Sequence, residues 1–401
     1  MTYALGVVGA GIGGLTLACA LEQAGIPFQL YEQAPAFESL GYGIQVSPNV
    51  VRILAALGLA EKLETVGHRC YGFELRSFYS DRSLIQWKLP SKQRYYQCRR
   101  ADLHRLLFDG LADQTRVQFD TSLKSYRQAE GAIALQFGNG SEQTVAALVG
   151  ADGVGSQTRQ QLMHDEAYTE AQYAGYAAFR ALLPWRATYA PLGGKATVWL
   201  GKNHHVVAYP NGSLEDGKQW LNLVLVVKET RWQAEGWTIP TDKHEVIGEF
   251  RNQSSLLTQV LEDLLDSSAP CYKWGLFTRS PLPFWSRQRV TLLGDAAHPM
   301  LPFQAQGAAM SIEDAYILAQ CLQGQSSDIQ SAFQQYEKLR FQRATRMQKT
   351  SRKNADVFHA SGLKAIARDS IFQILGLIAP RLMNLKSAWI YDYDATKLRT
   401  Q

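Results

Sequence analysis

An α/β fold is predicted for this 401-residue chain: a parallel sheet built from remote segments, an inserted mixed β-sheet and a helical carboxyl end. Three observations carry that prediction. Short apolar runs at Tyr3–Val8, Ala146–Ala151 and Val290–Leu293 each enter a glycine-bearing turn followed by a helical pattern. Between about 170 and 274 the pattern changes to strands, at Lys195–Gly201, His205–Tyr209 and Leu221–Val227. The last 50 residues read as helices. The length asks for two domains or one elaborated domain.

The totals exclude several classes. With 46% hydrophobic and 19% charged residues, the chain is an ordinary globular protein and not a disordered one. Lys plus Arg number 41 against 36 for Asp plus Glu, a net +5, and no basic stripe carries interleaved aromatics. Nucleic-acid binding is therefore not expected. The mild positive bias suits small anionic substrates and a phosphorylated nicotinamide. Cys19, Cys70, Cys98, Cys271 and Cys321 are scattered without a CxxC, which reads as reduced thiols in a cytoplasmic protein. The opening MTYALGVVGAG lacks a basic n-region and reads as a strand, not as a signal peptide. Ile371–Ala379 is apolar but too short to span a bilayer, so a packed helix is expected, without stable membrane insertion.

The first strand runs into Gly9-Ala-Gly11-Ile-Gly13-Gly14 and a helix with Leu17, Leu21 and Ala24 on one face. A second strand, Phe28–Tyr31, ends at Glu32. Strand, G-x-G-x-x-G, helix, strand and acid in that order form a Rossmann-like dinucleotide fingerprint. Gly9 makes the tight turn, Gly11 lets the backbone approach a pyrophosphate, and Gly14 lets helix and strand pack closely. Glu32 is placed to accept from an adenosine ribose, and its charge would disfavour a 2′-phosphate there.

Gly41-Tyr-Gly43-Ile-Gln45-Val-Ser-Pro48-Asn49 precedes a helix at Val50–Leu57; its glycines suit close approach to a ligand or a plain loop. Arg94–Cys98 reads as a strand before Arg99-Arg100-Ala-Asp102. There Arg100 suits a phosphate or ribose clamp, and Arg99 a solvated helix start. Asp152-Gly153 repeats the strand, acid, glycine, helix order, so one ligand-binding layer draws on distant segments. In the strand at 205–209, alternation puts His205, Val207 and Tyr209 on one face. His204 lies on the other and is expected at the surface.

Gly294 turns the chain and sets Asp295 at a strand end, and the stretch through Pro302 is expected to be extended. A helix then opens near Gly307, with free N–H groups and the positive end of its dipole. A cofactor with sugar hydroxyls and a reducible ring fits this arrangement. His298 reads as a structural residue of the turn. Arg340, Arg343 and Arg346, spaced three apart on a long helix, read as a solvated face with partner carboxylates.

Together GAGIGG at 9–14, Glu32, GYGIQVSPN at 41–49, RADL at 100–103, GADGVGSQTR at 150–159 and GDAAHPMLPFQAQGAAMSIEDA at 294–315 resemble the group A flavoprotein monooxygenases. These are single-component aromatic hydroxylases with the p-hydroxybenzoate hydroxylase fold, and the resemblance covers nearly the whole chain. Within the group the chain is most similar to salicylate, 3-hydroxybenzoate and 6-hydroxynicotinate hydroxylases. The segment around Trp285 and the ending Trp389-Ile-Tyr391-Asp-Tyr393-Asp394 carry that likeness.

The resemblance implies a discontinuous FAD-binding domain of glutathione-reductase type at 1–75, 98–170 and 275–350. It implies a substrate-binding β-sheet domain at 76–97 and 171–274, and a C-terminal helical segment at 351–401 that caps the flavin domain or forms a dimer contact. The protein is then a monomer or a homodimer. FAD, bound non-covalently and without a metal, is implied at Gly9, Gly11, Gly13, Gly14, Glu32, Gly43, Arg100, Asp152, Gly153, Asp295, Gly307 and Ala308. NADH or NADPH is the implied co-substrate, visiting without a Rossmann domain of its own.

In such enzymes reduced flavin and O2 give a C4a-hydroperoxide that attacks an electron-rich ring. His205, followed by Tyr209, matches a base that deprotonates the ring hydroxyl of a small hydroxybenzoate- or hydroxypyridine-type substrate, an effect of about 10²–10⁴-fold. Pro302 matches the residue whose carbonyl stands near the reacting oxygen. Phe303 departs from relatives that carry histidine there, which implies a more apolar pocket wall. Two alternatives are a monooxygenase of a bulkier phenolic or quinolone-like metabolite, and an FAD-binding carrier or sensor without catalysis.

Overall fold

The protein is described by a computed structural model at residues 4–37, 42–129, 131–163, 165–212, 219–230, 232, 239–324 and 328–398. Gly41 of the glycine loop lies outside the described residues. The three apolar runs form adjacent strands. Val290–Leu292, Leu148–Gly150 and Leu5–Val8 lie side by side and parallel, with Phe28–Tyr31 and Val117–Gln118 continuing the sheet. Gly6 pairs with Leu148, and Leu148 with Val290, so the three chains end level and their turns share one end of the sheet. Only Ser286–Arg287 at the far edge runs antiparallel. The central strands are buried throughout, which is why they read as continuous apolar runs.

The inserted sheet has eight strands in the order Ile239–Pro240, Tyr272–Thr278, Gln172–Pro184, Trp220–Lys228, His204–Asn211, Lys195–Leu200, Gly72–Ser77 and Ser83–Lys88. One face carries Ala177, Phe179, Val206, Ala208, Leu223 and Leu225, and packs on helices Lys243–Glu249 and Ser255–Asp266. The other face carries Ala178 and Val226, and meets Leu301, Phe303 and Ala355. That second face closes over the glycine-turn end of the parallel sheet.

Four expected boundaries fall inside elements, one of them the cut at 97/98 within strand Tyr96–Arg99. The cuts at 75/76 and 274/275 divide strands Gly72–Ser77 and Tyr272–Thr278. The cut at 350/351 divides a helix that runs unbroken over Ile329–Phe358, started by Asp328, whose side chain accepts from Ser331 N–H. Of the three arginines on that helix, Arg346 is exposed, while Arg340 and Arg343 are turned inward onto the carboxylates of Glu313 and Asp314 rather than solvated. Arg340 is fully buried, Arg343 nearly so, and Arg346 lies over the Trp389 ring at 4.0 Å. The apolar run belongs to helix Leu363–Ile378, which packs on only one side. Phe372 and Leu375 meet Leu84 and Ile85, while Ile366, Ile374 and Leu377 are exposed. All five cysteines are buried and unpaired, and no described helix is long and apolar enough to cross a membrane.

Candidate active site

Backbone constraints shape the first turn. Gly9 adopts φ +98°, and a Cβ there would stand 2.5 Å from the Ala151 carbonyl oxygen of the neighbouring turn. A Cβ on Gly14 would lie 1.9 Å from Gly9 O, so helix Ile12–Gln23 rests directly on the strand end. Gly13 faces Leu293 of the third turn at a similarly close approach, whereas the space beside Gly11 is open. The fingerprint glycines therefore divide: three are consumed by protein packing and Gly11 faces the cleft. Glu32 accepts from Ala10 N–H at 2.7 Å and Ala34 N–H at 2.9 Å, and His104 Nε2 contacts Ala10 O at 2.6 Å. The turn is thus preformed.

The second turn is tied to the third. Asp152 accepts from Ser156 Oγ at 2.5 Å and from Thr158 N–H and Oγ1 at 3.0 Å, so its carboxylate starts helix Gln157–Met163. Gly153 beside it takes φ +72° at the rim. Arg159 then donates to Ala296 O at 3.2 Å, next to Asp295. Burial lowers Arg159 to about 10, with Arg279 adding to the effect.

Asp295 and Arg100 are different. Both are exposed by area, yet both lie deep among protein atoms, which places them on the wall of a concave cleft. Burial raises the Asp295 carboxyl against the opposing pull of His298 and Arg100, and burial lowers Arg100 against the pull of Asp295. Neither side chain makes a hydrogen bond or ion pair with the described residues. Arg99 instead pairs with Asp102 at 2.6 Å.

Behind the third turn stands a buried ionic network. Asp314 accepts from Gly294 N–H at 3.1 Å, from Arg340 Nε at 2.7 Å and, at 2.5 Å, from His298 Nε2. Glu313 meets Arg340 and Arg343 at 2.7 Å each, and accepts from Asn49 Nδ2 at 2.7 Å. Gln306, just before the helix Gly307–Gly324, donates to Ser47 Oγ at 3.1 Å. The Ser47-Pro-Asn49 end of the glycine loop is therefore clamped to the helix start. Gly307 and Ala308 remain half-buried at its mouth. Pro302 does not keep the chain extended. It opens a single 3₁₀ turn, Pro302–Gln304, where its missing N–H costs nothing. The Pro302 carbonyl accepts from Ala305 N–H at 3.0 Å. From the long helix Gln348 donates to Pro299 O at 2.9 Å, Ser351 to Leu301 O at 2.5 Å and Asn354 to Phe303 O at 3.1 Å. The turn is held on every other carbonyl.

The sheet wall opposite carries His205 and Tyr209, which the strand rise separates by roughly 13 Å. They do not act on one point. His205 is buried, with Phe303, Phe358 and His359 rings around it, and its Nδ1 lies 3.0 Å from His359 Nε2. Burial drives its pKa well below the usual imidazole value, and His359, His204 and Arg368 push the same way. Tyr209 stands at the other end beside the glycine loop. A Cβ on Gly43 would come within 2.6 Å of its hydroxyl oxygen, and Gly43 N–H donates to Asn222 Oδ1 at 2.6 Å. The bare backbone at Gly43 therefore serves contact with the sheet. His204 is not at the surface: its ring packs edge-on to Phe78 and Phe250, and burial lowers it to about 4.

Two residues escaped sequence reasoning. Arg180, paired across the sheet with Val224 and Tyr272, puts its guanidinium over Trp274 at 4.2 Å and meets no carboxylate among the described residues. Burial lowers it to about 10. A lone arginine between Ala178 and Leu182 in an apolar strand was a readable signal. His359, at the end of the long helix, gave none.

A family model described as FAD binding domain matches residues 1–351. Among curated relatives, a 3-amino-4-hydroxybenzoate 2-monooxygenase of Streptomyces platensis is 33% identical, covering 98% of this chain and 96% of its own. A 3-hydroxybenzoate 6-hydroxylase of Polaromonas naphthalenivorans is 31% identical over 97% and 95%. A 6-hydroxynicotinate 3-monooxygenase of Bordetella bronchiseptica is 34% identical over 87% and 91%. Among solved structures, Klebsiella pneumoniae HpxO complexed with FAD and uric acid superposes with a TM-score of 0.84 at 25% identity, covering 95% of each chain. With its three level turns, its cleft-facing acid and its closing sheet, the chain belongs to the FAD-binding-domain family of flavoprotein aromatic hydroxylases.

Proposed function

We propose that this protein hydroxylates a small aromatic that already bears a ring hydroxyl, of the hydroxybenzoate or hydroxypyridine type, using NAD(P)H and O2 in the cytoplasm. The observation that carries the reading is the juxtaposition of one cleft end, where three glycine turns meet, with a buried imidazole on the sheet that closes it. The residues present fit FAD. Gly11 and the start of helix Ile12–Gln23 would take the pyrophosphate, Glu32 the adenosine ribose, Asp295 the ribityl hydroxyls with Arg100 near it as a phosphate or sugar clamp, and Gly307 and Ala308 would lie beside the ring. The bare Asp295 carboxylate is the acceptor such hydroxyls need.

The chemistry that FAD would supply there, once reduced by NAD(P)H, is the activation of O2 to an electrophilic oxygen. The protein's own task is to make the ring electron-rich. His205 accepts the proton of the ring hydroxyl and leaves its electron pair on the substrate oxygen. Phe303, Val207, Val224 and Leu276 exclude water around the ring, and Arg180 supplies positive charge along the same wall. Gln348, Ser351 and Asn354 pin the carbonyls of Pro299, Leu301 and Phe303 and so hold the turn that carries Pro302. The working unit is a monomer or a homodimer, which sedimentation of the purified protein distinguishes.

The test is a panel of hydroxybenzoates and hydroxypyridines with the flavin-loaded protein. A substrate is expected to accelerate NAD(P)H oxidation and to yield hydroxylated product with O2 uptake. A protein that binds FAD but responds to no phenolic compound is a carrier, and the proposal fails.

A further inference from the structure

We infer that His359 is a positioning residue that fixes the proton of His205 on Nδ1 and so leaves its Nε2 free to act as base. The inference rests on the hydroxylase reading above and names the part of the protein that makes His205 competent.

Hydrogen-bond geometry gives the assignment. His359 Nδ1 lies 2.8 Å from Ala355 O, a carbonyl that can only accept, so Nδ1 carries the proton. In a neutral ring its Nε2 is then a lone pair. That lone pair lies 3.0 Å from His205 Nδ1, which must therefore donate. The remaining nitrogen of His205, Nε2, has no hydrogen-bond partner among the described residues. The order Ala355 carbonyl, His359, His205 thus ends in a basic nitrogen. Without an acceptor on Nδ1, a neutral histidine prefers the opposite tautomer, and Nε2 then carries hydrogen and cannot take another.

Both rings are kept neutral. Burial lowers His359 to about 4, and His204, Lys228 and Arg368, which face the pair, oppose its protonation. Placement is secured independently. Arg368 donates to Val357 O and Phe358 O at 3.1 Å each, capping the last carbonyls of helix Ile329–Phe358 just before His359. Tyr176 lies against the His359 ring with centroids 4.4 Å apart. The proton taken from a ring hydroxyl goes to His205 Nε2. The resulting imidazolium keeps its Nδ1–H on His359 Nε2 and has the substrate oxyanion as its counter-charge.

The experiment uses flavin-loaded protein with two substitutions. His359→Phe keeps a ring and removes the acceptor; His359→Gln keeps an acceptor oxygen where Nε2 stood. Nitrogen-15 NMR of histidine-labelled protein, with the His205 signals identified through His205→Gln, reads the tautomer directly. Wild type and His359→Gln are expected to show His205 protonated on Nδ1, and His359→Phe to show it on Nε2. In turnover with a substrate found by the panel, His359→Phe is expected to lose coupled hydroxylation about 10- to 100-fold with peroxide rising. Flavin reduction persists, and His359→Gln recovers most of the loss. An unchanged His205 tautomer in His359→Phe overturns the inference, as does equal loss in both variants. If no phenol turns over in wild type, the function proposed above fails, while the NMR comparison still decides the role of His359.

Discussion

His205 matters because of what one of its nitrogens lacks. Burial holds it neutral through the ordinary imidazole range, so on the proposed reading its free nitrogen is ready to take a proton there, and its charge would appear with the phenolate formed beside it. A value pushed far below the imidazole range makes the free enzyme's rate insensitive to pH on the His205 side. Activity is therefore expected not to fall through the ordinary imidazole range near pH 6.5. In His205→Gln the amide cannot take the proton. FAD binding and flavin reduction are expected to stay near wild type, while the product formed per NAD(P)H drops about 10²-fold or more and peroxide replaces it. Stopped-flow reduction together with product and peroxide assays separates these steps. Undiminished coupling in His205→Gln takes His205 out of the chemistry and points to Tyr209 or Arg180 at the other end of the wall.

At the scale of elements, the buried pairs between helices Gly307–Gly324 and Ile329–Phe358 hold the third turn in place. Desolvation works against a charged Asp314, but attraction and hydrogen bonds from His298 and Arg340 outweigh it, so its carboxyl sits below the usual carboxylate range. The sign follows: the stabilisation is complete above the unfolded value of about 3.9 and is lost as pH falls through the lower folded value. Removing the cation is worse than acidifying. Arg340→Met leaves Glu313 and Asp314 buried with half their partners and is expected to cost about 3–5 kcal/mol at neutral pH. Chemical denaturation measures it, and a loss under about 1 kcal/mol means that Arg343 and His298 suffice. This network marks where the sequence stopped being readable. The glycine turns were legible because their demands are local: a positive φ, a missing Cβ, an acid at a strand end. Arg340 was misread as solvated because spacing on one helix says nothing about a partner helix that brings Glu313 and Asp314 to it. His204 was misread because its far face is covered by Phe250, which follows the helix Lys243–Glu249 and is remote in sequence. His359 meets His205 across 154 residues, which no periodicity records.

Over the whole molecule, the cleft exists only because three distant segments become neighbouring strands, joined side to side by Gly9 against Ala151, Gly13 against Leu293 and Arg159 on Ala296 O. A ligand that touches all three turns stabilises the assembly as a unit. At 100 times its Kd, FAD is expected to add about 2.7 kcal/mol and to raise the Tm progressively with concentration. Riboflavin lacks the ADP half that Gly11 and Glu32 would hold, so at equal concentration its effect is expected to be much smaller. Asp295→Ala sharpens the comparison. Asp295 has no partner among the described residues, and burial holds its carboxyl above the ordinary range. At neutral pH its charge therefore costs the flavin-free protein stability, and Asp295→Ala is expected to unfold no earlier than wild type without FAD. With FAD it should lose the acceptor for the ribityl hydroxyls and show a smaller rise. If Asp295→Ala keeps the full FAD-dependent rise, the acid does not hold the cofactor. If FAD and riboflavin shift wild type equally, the first turn is not a binding element, whatever its fingerprint.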